Sequence, residues 1–313
     1  MPMTLAQYLD RVIRLRTGVV GEHEKPHKPA LMLAILSLLE SGRLAENRIT
    51  YDPELFELFS NYFKIVRTSR DALNMIDPFW RLRTDGLLEH LPKPGNEAAV
   101  SIQSNAPTVN QLHEMTRGSK LPDELFDLLR DPSACAAVRQ AIIGRYFARQ
   151  SDAIELLAAQ ERAIGARERL LETSEGQALP DTAEPIRDHA FRRVVLRAYD
   201  YRCAACGLRV VVDDLVLVDA AHLIPWNVSR DDDPRNGMAL CKNHHWAMDR
   251  SLIAPTPQLK WTINNRLDDR IEGQRDLLDL QDRGLLLPRV DRFHPKSESL
   301  LWRFNNLGRS DDR

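Results

Sequence analysis

The chain has 313 residues and a mass of 35.8 kDa, and 43% of its residues are hydrophobic, enough to pack two cores and too much for wholesale disorder. Lys and Arg number 43 against 45 Asp and Glu, a formal charge of -2, so overall charge selects no partner; a nucleic-acid binder needs only a local basic face. No apolar run reaches bilayer length and the N-terminus does not read as a secretory leader, which points to a cytoplasmic protein.

Residues 4–16 place Leu5, Tyr8, Leu9, Val12 and Ile13 at helical spacing, predicting a first amphipathic helix. A polar loop then reaches Glu24-Lys25-Pro26-His27-Lys28-Pro29, and residues 30–39 are almost wholly apolar, a buried helix entered through proline. His27 and Lys28 therefore lie at a helix N-terminus, either as a solvated basic loop or as an anion site. Tyr51-Asp52-Pro53 opens another helix, residues 54–67, with a broad face of Leu55, Phe56, Leu58, Phe59, Tyr62, Phe63 and Val66.

Residues 74–89 read as a loop leading into a short strand or turn that ends at Asp85-Gly86. Within it, Pro78, Phe79 and Trp80 form an apolar edge beside Arg81 and Arg83. A His-Lys-Pro helix entry followed by Pro-Phe-Trp-Arg-Leu and Asp-Gly-Leu resembles the sulfur-binding domain of phosphorothioate-dependent restriction endonucleases. The resemblance spans residues 1–150. It implies a pocket, apolar with basic surroundings, that receives a non-bridging sulfur of modified DNA, with His27, Lys28, Pro29, Pro78 and Arg81 as its residues. One departure is Asp77, where the family often has an aromatic; a carboxylate pointing inward would repel a thiophosphate.

Residues 92–107 read as an exposed loop, and residues 121–129 and 134–149 as two helices that complete the first domain. Cys135, on the second of these helices, reads as a buried structural thiol. Residues 151–171 form a mostly polar helix with alternating charge, read as a solvated connector or, less often, a dimerising helix, and residues 172–185 read as a linker. The expected boundaries are thus 1–150 for DNA recognition, 151–185 for connector and linker, and 186–313 for a second domain.

That second domain opens with a helix, residues 191–201, followed by a Val- and Leu-rich run that predicts a hairpin whose second strand carries Asp219 to Ile224. Asn236 is expected to introduce a helix continuing through Cys241, His244, His245 and Asp249. Cys203, Cys206, Cys241 and His244 fall as two pairs, each with two residues between ligands, the spacing by which tight turns present soft donors to one tetrahedral zinc. His244 takes the fourth position on that spacing, and His245 can exchange with it.

A hairpin followed by a helix, pinned by zinc and displaying His, Asn and His, resembles the HNH nucleases of the ββα-metal type over residues 186–257. The resemblance implies that His222 is the general base, that Asn236 holds the loop or the base, and that His245 binds a catalytic divalent metal, Mg2+ or Mn2+. An imidazole suits the base because its ordinary pKa of about 6.5 leaves it neutral at cellular pH. Many such enzymes have an acidic metal ligand directly before the base, where this chain has Ala221. Asp219, two residues earlier, is the candidate replacement, and Asp249, a helical turn beyond His245, is another. Residues 259–263 predict a strand beside the hairpin, and residues 284–302 read as closing segments.

The fold class expected is α+β: a mainly helical DNA-recognition domain plus a zinc-stapled ββα-metal HNH domain. The expected function is that of a modification-dependent restriction endonuclease acting on phosphorothioated double-stranded DNA, as a homodimer because one HNH site cuts one strand. The alternatives are an HNH nuclease or nickase on unmodified DNA, or a catalytically silent zinc-containing DNA-binding protein.

Overall fold

The structure, a computed structural model, describes residues 3–173, 182–213 and 215–308. Residues 174–181, most of the expected linker, and Asp214 in the expected hairpin run lie outside the described residues. The chain divides into a unit Met1–Gly165 and a unit Ala166–Arg313. The architecture is α+β, with helices outnumbering short two-stranded sheets. No helix among the described residues is long and apolar enough to cross a membrane.

The first unit is built around α2 (His27–Glu40), which follows α1 (Leu5–Ile13) and the ribbon β1 (Val19–Val20) with β2 (His23–Glu24). Every residue of α2 from Lys28 to Leu38 is buried, because Ala, Leu, Met and Ile occupy its whole circumference. Helix α3 (Pro53–Val66) packs along it with Leu55, Phe59, Tyr62 and Phe63, and starts at Asp52, whose carboxylate accepts from the Leu55 amide. Tyr62 reaches the Ser37 hydroxyl at 2.6 Å, so these two buried hydroxyls satisfy each other.

Residues 74–89 correct the loop expectation. They form α4 (Ile76–Arg81), a 3-10 turn over Leu82–Asp85, and a reversal at Gly86, whose φ of 66° is left-handed. Then come β3 (Glu89–Pro92), α5 (Glu97–Ile102) inside the expected loop, α6 (Val109–Met115) and β4 (Thr116–Lys120), with β3 and β4 antiparallel. Helices α7 (Asp123–Leu129) and α8 (Pro132–Tyr146) close the unit. Cys135 on α8 is buried, and burial pushes its thiol up to about 12. Helix α9 (Ser151–Thr173) is not a solvated rod: Ile154 joins the first core, Ala158 and Ile164 are buried, and Gly165 lies so close to Ser41 that no Cβ fits. Its last turns belong to the second unit.

The second unit runs α10 (Glu184–Ala198), a ribbon of β5 (Val211–Val212) with β6 (Leu215–Val216), and β7 (Val218–His222). After α11 (Trp226–Ser229) come β8 (Gly237–Cys241) and α12 (Lys242–Asp249). Here too an expectation is corrected: Asn236 introduces a strand, and the helix begins only at Lys242. The central hairpin is β7 against β8, with His222 opposite Gly237 and Asp219 opposite Leu240. Ala220, Gly237 and Ala239 share the face that α10 covers, and their small size leaves room for buried Phe191 and Val195. Beyond it, β9 (Ile253–Pro255) pairs with β10 (Trp261–Ile263), so the strand expected beside the hairpin forms its own ribbon. Helices α13 (Arg275–Leu278) and α14 (Ser297–Asn305) follow. Buried Arg303 of α14 donates to the carbonyls of His222 at 2.8 Å and Leu223 at 2.7 Å, locking the end of β7.

Candidate functional sites

In the first unit, His27, Lys28, Pro78 and Arg81 line one cavity of about 590 Å3, together with Arg16, Lys25 and Arg70. Pro29 is buried beneath them and does not line it. His27 lies at the start of α2, its ring 4.6 Å from that of Phe63, and its Nε2 donates to the Ala72 carbonyl at 2.9 Å. Lys28 is buried and gives its ammonium to Asp85 at 2.5 Å, so it contributes framework rather than a free charge. Asp77 and Arg81 sit one turn apart on α4 and pair at 2.7 Å. The carboxylate that departs from the family pattern is thereby matched by a guanidinium.

In the second unit, Cys203, Cys206, Cys241 and His244 converge, with their four ligand atoms all within 4.8 Å of one another. A tetrahedral zinc with Zn–S bonds of about 2.3 Å needs ligand edges of about 3.7 Å, so the cluster fits a metal ion with modest closing. Gly207, with φ of 75°, turns the chain after Cys206 and its amide reaches the Cys203 carbonyl at 2.8 Å. Ala204 ties the knuckle to β8 through the Ala239 carbonyl at 2.8 Å. Cys241 ends β8 and His244 lies in the first turn of α12, which brings His244 Nδ1 to 3.0 Å from Cys241 Sγ and 3.5 Å from Cys203 Sγ. His244, not His245, is therefore the fourth member. Hydrogen bonding from Cys241, against the effect of burial, holds the Cys203 thiol far down, at about 3, and sharing that proton drives Cys241 up. Four protein donors leave no open position, which marks a structural site.

His222 ends β7. Its ring stacks on Phe191 of α10 with centroids 3.9 Å apart and planes 4° from parallel, and its Nε2 lies 3.2 Å from Asp232 Oδ1. Asp232, absent from the expected set, comes from an Asp231-Asp232-Asp233 run that looks in sequence like a solvated charge patch. Asn236 is fully buried: its Oδ1 accepts from the Ile224 amide at 2.9 Å and its Nδ2 donates to the carbonyls of Ile224 and Asp231, each at 3.0 Å. It clamps the 223–236 loop, and among the described residues its side chain makes no hydrogen bond to His222.

His245 Nδ1 stands 3.6 Å from Asp219 Oδ2, and its Nε2 stands 3.3 Å from Asp249 Oδ2. The same Asp219 oxygen also accepts from Lys242 Nζ at 2.5 Å. Two donors 3.6 Å apart can both reach one small cation at about 2.1 Å each, so Asp219 and His245 fit a two-ligand open site. Asp249 lies at the opposite ring nitrogen of His245, 3.3 Å from Nε2. Among the described residues, no hydrogen bond links the His222–Asp232 pair to the Asp219–His245–Asp249 group.

Comparison with known proteins places two families on this chain. The family described as HNH endonuclease matches residues 203–254, and the family described as ScoMcrA-like, DNA sulfur-binding domain, matches residues 5–161, half of the chain. Among solved structures, the chain is similar to the sulfur-binding domain of ScoMcrA complexed with phosphorothioated DNA, at 21% identity and TM-score 0.37, covering 47% of this chain and 90% of that one. It is also similar to the modification-dependent TagI restriction endonuclease, at 22% identity and TM-score 0.30, covering 40% of each chain. The match thus spans well under half of TagI, and no curated protein matches. The chain belongs to the ScoMcrA-like family of DNA sulfur-binding domains and joins that domain to an HNH endonuclease domain.

Proposed function

We propose that the protein is a modification-dependent restriction endonuclease that binds phosphorothioate-marked duplex DNA through residues 1–150 and hydrolyses phosphodiester bonds through residues 186–313. The observation that carries this reading is the presence, on one chain, of a sulfur-binding domain match and an HNH endonuclease match. The sulfur-binding domain of ScoMcrA, complexed with phosphorothioated DNA, supplies the choice of mark. The cavity of the first unit supports it chemically. Its Pro78 offers apolar surface to a soft sulfur, while Arg16, Lys25 and Arg70 are exposed cations suited to flanking phosphates.

In the second unit, His222 takes a proton from water as general base. The water oxygen bonds to phosphorus, the bond from phosphorus to the 3′ oxygen breaks, and that oxygen leaves with the electron pair and is protonated from solvent. Asn236 keeps the loop beneath His222 in place. Asp219 and His245 would hold a divalent cation, Mg2+ or Mn2+, which when bound would supply positive charge for the phosphate. The Cys203, Cys206, Cys241 and His244 cluster takes zinc and serves the fold. Each site cuts one strand, so a double-strand break takes two copies of the chain, working as a homodimer.

The test compares cleavage of matched phosphorothioate and unmodified duplexes by wild type and His222→Ala, with Mg2+ or Mn2+. Cleavage of the marked duplex alone, abolished in the variant, is expected. Equal cutting of both duplexes would remove the sensing role, and undiminished cutting by the variant would remove His222 as the base.

A further inference from the structure

The histidine that ends β7 is held on three sides, and each restraint comes from a different element. Arg303 of α14 fixes its backbone through the His222 carbonyl at 2.8 Å. Phe191 of α10 fixes the plane of its ring by stacking at 3.9 Å. That stack depends on Gly237, the residue opposite His222 on β8: a Cβ there would stand 2.8 Å from Phe191 Cζ and 2.5 Å from Val195 Cγ2. The remaining freedom is rotation about the ring axis, and Asp232 removes it through the 3.2 Å contact with Nε2.

We infer that Asp232 is the positioning residue of this histidine, holding the proton on Nε2 so that Nδ1 carries the lone pair that accepts the proton from water. This assignment deepens the nuclease reading above and rests on it for its catalytic consequence. A carboxylate only accepts hydrogen bonds, so a pair between Nε2 and Asp232 Oδ1 requires the hydrogen on Nε2. His222 Nδ1 has no hydrogen bond among the described residues, and the side chain is 21% exposed, so that nitrogen is unspent.

The setting of Asp232 argues against a chance surface pair. Its side chain is only 2% exposed, and burying a carboxylate is costly without opposing charge. Arg167 and Arg187 provide it, each 3.6 Å from Oδ2. At that distance they neutralise without making a close hydrogen bond, and Oδ2 accepts none among the described residues. Arg187 is itself held with its guanidinium 3.8 Å over the Trp226 ring. The hydrogen bond of Asp232 thus goes to His222, while Asn236 holds the loop that carries Asp232 by bonding to the adjacent Asp231 carbonyl at 3.0 Å. An imidazole whose tautomer and ring plane are both fixed needs no reorganisation when the proton arrives.

The test reads the tautomer directly, by long-range 1H–15N correlation on histidine-labelled, zinc-loaded, full-length protein. Wild type is expected to show His222 protonated on Nε2. In Asp232→Asn the amide can donate to Nε2 and select the Nδ1–H form, so kcat on the marked duplex should fall about 10^2 to 10^4-fold with KM nearly unchanged. Asp232→Glu, which keeps the acceptor, should recover part of that loss. A wild-type His222 protonated on Nδ1 would overturn the assignment without reference to any variant. So would an Asp232→Asn protein of normal zinc content and thermal stability whose kcat is unchanged. If wild type cuts no duplex at all, the nuclease reading fails, while the tautomer measurement still decides what Asp232 does to His222.

Discussion

Replacing Asn236 separates a loop clamp from a group that acts on substrate. The side chain is wholly buried and makes three hydrogen bonds, one accepted from Ile224 and two donated to the carbonyls of Ile224 and Asp231. A net contribution of about 1 kcal/mol for each bond, plus the penalty for leaving the Ile224 amide buried and unpaired, gives about 4 kcal/mol for Asn236→Ala. In a unit of this size each kcal/mol moves Tm by about 2–4 °C, so the nuclease unit should melt about 10 °C lower. Asn236→Asp is the sharper variant. It keeps the shape but turns both donors into an acceptor facing two carbonyl oxygens, and it should be at least as destabilising. Differential scanning calorimetry of the full chain reads both variants, the relevant transition being the one that moves when zinc is chelated. An Asn236→Asp protein that melts like wild type but no longer cleaves DNA would refute the clamp and place Asn236 on the substrate.

Two further outcomes follow from the two units. His90 of β3 is half-buried, stacked on Trp80 at 4.3 Å and bonded to Ser119 and the Trp80 carbonyl, and partial burial lowers its pKa from 6.5 to about 4. Its folded-state pKa lies below the unfolded one, so the unfolded chain binds the extra proton first. Stability of the recognition unit is full above pH about 6.5 and should drop by about 3 kcal/mol as pH falls to about 4. Urea titrations across that range should show the slope, and His90→Gln should flatten it. Removing zinc, by a chelator or by Cys206→Ser, should unfold the second unit while leaving the thermal transition of the first unchanged, since all four ligands lie between Cys203 and His244. Metal content and limited proteolysis check this. Retention of the second transition in metal-free protein would show that the cluster does not hold the fold.

The parts of the site legible in the sequence are those whose partners are close along the chain. Two Cys-x-x-Cys/His pairs need only a turn and the start of a helix to converge, and they do. The strand at Gly237–Cys241 was less legible, because Met238, Ala239 and Leu240 suit a helix as well, and only pairing with β7 decides between them. Asp232 was hidden for a similar reason. Three consecutive aspartates imply solvent, and what buries the middle one is a pair of arginines 65 and 45 residues upstream, on α9 and α10.

The segment around Pro78 joins the two kinds of error. Asp77-Pro78 reads as a turn, yet Pro78 is the third residue of α4, where its missing amide hydrogen is one the first turn of a helix leaves unpaired anyway. Asn74 supports that start by accepting from the Asp77 amide at 3.2 Å. Read as a loop, Asp77 is a stray negative charge beside a site for thiophosphate. Read as a helix, it is one turn before Arg81 and pairs with it at 2.7 Å. The sign of the local field therefore depends on the secondary structure of six residues, and a charge that looked hostile to DNA instead fixes the direction of a guanidinium lining the cavity.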